Sequence, residues 1–199
     1  MKRTLIAVIW MVMLATARGA DIATTYHFCP TLLHEANPIV SVLGGGWIAL
    51  LVPNFLLCIF FSLCTIAYWR AKPYFSLVPY AQSPWDFAML GLYGKKMTKR
   101  AFICRQLLGV CLPPRGHRAV FCQLAGFAVP PVIITGSFIA VFAWYATCEW
   151  HLAWFIQLHS HLSYTLVLVP CLLVWFAAEV VYFTSEYRRA CSVNPIGTA

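Results

Sequence analysis

The sequence predicts an all-α polytopic membrane protein: four transmembrane helices, N and C termini cytoplasmic, and interfacial helices in the cytoplasmic loop. Three observations lead there. Of 199 residues, 61% are apolar and only 10% are charged, whereas about a quarter of the residues in a soluble domain are charged. Four segments approach or exceed the roughly 20 apolar residues that a spanning helix needs: about 4–25, 39–68, 119–145 and 163–183. The cations, finally, are sorted. Lys2 and Arg3 precede the first segment; Arg70, Lys72, Lys95, Lys96, Lys99, Arg100, Arg105, Arg115 and Arg118 fill the connection between the second and third; Arg188 and Arg189 follow the fourth. Only Arg18 of the fourteen falls elsewhere. The positive-inside rule then places both termini and loop 69–118 in the cytoplasm, and residues 26–38 and 146–162 outside.

The spans occupy so much of the chain that 1–199 reads as a single membrane domain, expected in a bacterial inner (plasma) membrane. A net charge of +8 would point to nucleic acid in a soluble chain. On a cytoplasmic membrane face it points to anionic lipid head groups instead. Membrane lipids are therefore expected partners and nucleic acid is not.

The first segment opens with Lys2 and Arg3, continues through an apolar run Leu5 to Leu14, and reaches Ala15-Thr16-Ala17. That is also the layout of a secretory signal with an A-x-A cleavage site. Retention as a signal anchor is the expectation; removal would leave three spans with the same orientation. Arg18 and Asp21 lie three apart near the outer end, on one helix face, and can pair. They read either as a snorkelling pair at the interface or as charges facing protein or water.

The second segment is interrupted. Gly44-Gly45-Gly46 permits close helix approach or a break, and Pro53-Asn54 puts a kink and an amide near mid-membrane. Proline removes a backbone hydrogen bond that a neighbour must replace. Pro130-Pro131 and Pro170 sit at comparable depth in the third and fourth segments. Three broken spans can enclose a cavity or simply pack around their kinks.

In the loop, Ser83-Pro84-Trp85-Asp86 has an N-cap, proline at the first helical position and an acid near the helix start. It predicts a helix running towards Tyr93 and ending at Gly94. A second helix, Lys99 to Leu112, mixes cations with Phe102, Ile103, Leu107 and Leu108 and stops at Pro113-Pro114. Basic and apolar residues together suit helices lying in the interface, or a docking surface for a partner. Glu179, near the cytoplasmic end of the fourth segment, either pairs with a loop cation or sits among the head groups.

Nine cysteines divide by compartment. Cys29 and Cys148 are external, where a disulfide can persist. Cys58, Cys64 and Cys171 lie in spans and pack as small apolar groups. Cys104, Cys111, Cys122 and Cys191 are on the reducing side, and with His117 they lack the short paired spacing of a zinc site.

Around the first hairpin, Asp21-Ile22-Ala23-Thr24-Thr25 is followed by Glu35-Ala36-Asn37-Pro38. This resembles an uncharacterised family of small prokaryotic membrane proteins marked by D-x-x-T-T and then E-x-N-P. The likeness covers about the first third of the chain. It points to Asp21, Thr24, Thr25, Glu35, Asn37 and Pro38 and brings no activity with it. Two readings of these residues stand side by side. In the structural one, Asn37 caps the entering helix with Pro38 at its first position and Glu35 by the same positive end, while Asp21 accepts from the hydroxyls of Thr24 and Thr25.

In the functional reading, His27, His34, Glu35, His151, His159 and His161, with Glu149 and Asp21 nearby, offer more imidazole and carboxylate than a transition metal needs. His159-Ser160-His161 is a poor pair on a helix and a workable one on an extended turn. Imidazole also titrates near neutrality, which suits proton handling.

No phosphate loop, nucleophile elbow or zinc-protease helix is present. The expected function is a non-catalytic integral-membrane subunit or accessory protein of a larger assembly, with other membrane subunits as partners. The alternatives are a metal-binding or metal-dependent membrane enzyme working at the outer face, and a small transporter with Asn54 and Gln123 lining a path.

Overall fold

The structure, a computed structural model, describes residues 2–32, 46–71, 79–108 and 117–193. These form α1 (Lys2–Phe28), α2 (Gly46–Arg70), α3 (Pro84–Tyr93), α4 (Lys99–Leu108), α5 (Arg118–Trp144), a π-helical turn (Tyr145–Glu149) and α6 (Ala153–Val193), with no strand among the described residues. Four of the helices are long and apolar enough to cross a membrane: Thr4–Phe28, Gly46–Arg70, Arg118–Glu149 and Ala153–Ser192. The chain is thus an all-α integral-membrane protein of four spans.

Successive spans run in opposite directions. Thr4 and Val8 of α1 line one groove with Ile66 and Arg70 of α2, and Arg189 of α6 donates to the Ala71 carbonyl. The start of α1 and the end of α6 therefore share one end of the bundle with α3 and α4, here termed the loop end. The other is the hairpin end. α5 is the central helix, touching α1, α2 and α6.

The main core lies at the loop end. Tyr68, Phe127 and Tyr182 meet at centroid separations of 5.2–5.8 Å, each such aromatic pair contributing about 0.5–1.5 kcal/mol beyond its buried area. Onto this cluster α3 folds Phe87, Ala88, Met89 and Leu92, all buried. The Ser83 side chain accepts from the Asp86 amide, Pro84 occupies the first turn, and Gly94 closes the helix in the left-handed region at φ 69°. Glycine suits this left-handed position, and an added Cβ would lie 2.6 Å from His117 Nε2, so that ring would have to shift. His117 itself bonds the Gly91 carbonyl at 2.8 Å, pinning the end of α3 to the start of α5. α4 is looser: Phe102 is buried against Trp85 and Tyr93 while Ile103 is exposed.

α2 and α5 cross in close backbone contact. A Cβ on Gly126 would fall 2.1 Å from the backbone oxygen of Cys64, so only glycine permits this crossing. The same place resolves one proline problem. Pro130 has no N–H to give the carbonyl four residues earlier, which is that of Gly126. The single hydroxyl hydrogen of buried Thr65 is shared between Gly126 O at 2.9 Å and its own helix's Phe61 O at 2.8 Å, which gives the freed carbonyl a donor from another span. Pro130 is itself fully buried, so this break is packed rather than opened into a cavity.

Residues 39–45 of the expected second span lie outside the described residues; the span is described from Gly46 to Arg70. The fourth span consists of two helical pieces that meet at a kink. The non-helical backbone at Leu162 (φ −131°, ψ 22°) falls at the expected start of 163. A further helical piece from Ala153 precedes it, and the helix runs past the expected end at 183 to Val193.

Candidate functional site

The histidine-rich connection expected outside the bilayer is short. The π-helical turn closes with Trp150 N donating to Tyr145 O at 2.8 Å and Leu152 N to Ala146 O at 2.9 Å, and α6 starts at Ala153. His159 and His161 therefore sit on a helix, where two residues apart means nearly opposite faces. The extended-turn pair is corrected accordingly: His159 is half-buried and stacks on Phe155 at 5.8 Å, and His161 is exposed. His151, at φ 46°, turns Nδ1 towards the Thr147 carbonyl at 3.2 Å. His27 is exposed and edge-on to Phe28. His34, Glu35, Asn37 and Pro38 lie outside the described residues. Among the described residues no group of three or more His, Cys, Asp or Glu side chains comes together to hold a metal ion.

Aromatic rings fill the space instead. Phe28 stacks on Trp144 and meets Tyr145 edge-on, and Phe142 meets Trp150 and Phe155. Tyr26 packs on Trp47, whose indole donates to the Pro30 carbonyl. Cys29 and Cys148 are both thiols, the first buried and the second exposed.

The motif threonines do not serve the Asp21 carboxylate as expected. Thr24 Oγ1 donates back to the Ala20 and Asp21 carbonyls at 2.8 and 2.9 Å, the ordinary back-bond of a hydroxyl inside a helix. Thr25 is buried.

Asp21 is instead half of a polar constellation inside the membrane. Arg18 Nη1 lies 2.5 Å from Asp21 Oδ2 and 3.2 Å from Ser137 Oγ of α5, and Nη2 donates to Asn54 Oδ1 of α2. Asn54 returns its amide to the Leu50 carbonyl at 2.6 Å. Side-chain exposure is only 19% for Arg18 and 14% for Asp21, and Ser137 is fully buried. The pair faces its helix neighbours, so the snorkelling alternative is set aside. Three spans supply the four groups, and the i,i+3 spacing on α1 delivers two of them together.

Arg18 lies ten residues before the end of α1, about 15 Å deep at 1.5 Å per residue. A guanidinium there is tolerated only with partners. Beside it an open groove of about 550 Å³ runs between α1 and α2, walled by Ala15, Gly19, Ile22, Leu51 and Phe55, with Arg18 and Asn54 at its polar part.

Asn54 and Gln123 lie at different depths. Asn54 shares the level of Ser137 through Arg18, and Gln123 is fourteen residues from Ser137 along α5, about 21 Å away.

Glu179 has a third fate that neither expectation covered. It is buried, accepting from the Gln106 amide of α4 at 2.8 Å and bonded by Trp175 of its own helix. It thus fastens a loop helix to α6.

A guanidinium does not release its proton and an amide has none to give near neutrality. With the Asp21 carboxylate and the Ser137 hydroxyl they form a polar group that joins α1, α2 and α5. No family model, curated protein or solved structure matches the chain.

Proposed function

We propose that this chain is a non-catalytic component of a larger membrane assembly, with other integral-membrane subunits as partners. Its seat is a bacterial inner membrane, with both termini and the basic loop in the cytoplasm. The observation that carries this reading is how the converging polar side chains are used. Arg18 donates to Asp21, Asn54 and Ser137 across three helices, an arrangement that suits a scaffold. The sorted cations support the orientation.

Mild-detergent extraction of native membranes followed by native electrophoresis tests the proposal. The chain should migrate in a complex larger than itself in its detergent shell, with defined co-migrating subunits. Recovery as a stable, solitary monomer would overturn it.

A further inference from the structure

The groove between α1 and α2 has an unusual floor. Arginine carries five N–H donors, and Arg18 uses three of them, two on Nη1 for Asp21 and Ser137 and one on Nη2 for Asn54. Two donors of a permanent cation remain, on a side chain that, with Asn54, forms the polar part of a groove whose other walls are apolar and open towards lipid. Hydrocarbon tails cannot satisfy them, and an unmet polar group in such surroundings is costly.

The occupant's chemistry follows from depth, charge and size. At about 15 Å from the end of α1, the site lies below the phosphate layer, which disfavours a phospholipid head group. Asp21 already neutralises Arg18, so a carboxylate ligand would add an uncompensated buried charge. A volume of about 550 Å³ falls within the roughly 300–1,000 Å³ of small-molecule sites. We propose that the α1–α2 groove binds a neutral, membrane-dissolved molecule that presents a carbonyl oxygen to Arg18, the chemical class that includes lipid quinones. This goes beyond a scaffold role and stands or falls separately from it, because its readout is ligand binding rather than assembly.

The test uses the full chain in phosphatidylcholine nanodiscs and three radiolabelled probes with the same alkyl tail: decyl-benzoquinone, decylbenzene and decanoate. Two variants accompany it. Arg18→Gln removes the cation. Gly19→Leu fills the groove while leaving the constellation intact, since a Cβ at Gly19 meets nothing within 4 Å. Saturable binding of the quinone is expected, above that of both other probes. Loss of a hydrogen bond to a charged donor should weaken it by about tenfold to a hundredfold in Arg18→Gln, with a comparable loss in Gly19→Leu, whose helicity and melting should match the parent. Equal uptake of decylbenzene, preference for decanoate, absence of saturable binding, or undiminished binding by folded Gly19→Leu would each overturn the proposal.

Discussion

Arg18 and Asp21 neutralise each other well below the membrane surface, so removing one leaves the other as an uncompensated charge. Arg18→Leu should therefore lower stability by about 3–5 kcal/mol, measured by unfolding in bicelles. The Arg18→Leu/Asp21→Leu double variant should recover part of the loss. A double variant less stable than the single one would contradict the pairing. Gly126 sets a second expectation. Gly126→Ala must push α2 and α5 apart against backbone atoms and should cost about 3 kcal/mol or more. Gly136→Ala, whose Cβ would meet only the Cys171 sulfur at 3.4 Å, should stay within about 1 kcal/mol of the parent. Parity between the two glycine variants in thermal unfolding would refute the close crossing. At the hairpin end His161 is exposed, so His161→Ala should shift stability by no more than about 0.5 kcal/mol. A chelator-sensitive melting temperature that disappears in this variant would restore the metal reading.

Legibility in the sequence varied with the range of the interaction. The Ser83 cap, the Gly94 stop and the Arg18–Asp21 pair are local, and spacing alone exposes them. The meeting of Arg18 with Asn54 and Ser137 depends on the relative register of three helices, which no single segment encodes. Thr65 and Gly126 were missed although a signal existed: Pro130 deprives the carbonyl at 126 of its donor, and a buried hydroxyl on another span is a natural replacement. Whether His159 and His161 lie on a helix or a turn is not legible in the polar stretch before the span; they lie on the short helical piece ahead of the Leu162 kink. At this scale α3 makes a definite prediction. Ser83→Ala removes the side-chain acceptor for the Asp86 amide and should destabilise by about 1 kcal/mol. Faster hydrogen exchange confined to residues 84–93 would register it. Unchanged exchange there would show that packing of Phe87 and Leu92 alone holds the helix.

The whole molecule divides its stabilising interactions by depth. Apolar and aromatic packing holds the loop end, where α3 and α4 clasp α5 and α6 through Phe87, Phe102 and Glu179. Rings cover the hairpin end. Between them, where hydrophobic driving force between helices is absent because lipid is as apolar as the side chains, polar bonds and small residues take over: Thr65 with Gly126, and Arg18 with its three partners. The central claim is that Arg18 couples α1 to α2 and α5 inside the bilayer. A double-mutant cycle between Arg18→Gln and Asn54→Ala, read as unfolding free energy in bicelles, tests it most directly. Two residues in one hydrogen-bonded network should show a coupling energy of about 0.5–3 kcal/mol. Strict additivity of the two substitutions would contradict the account.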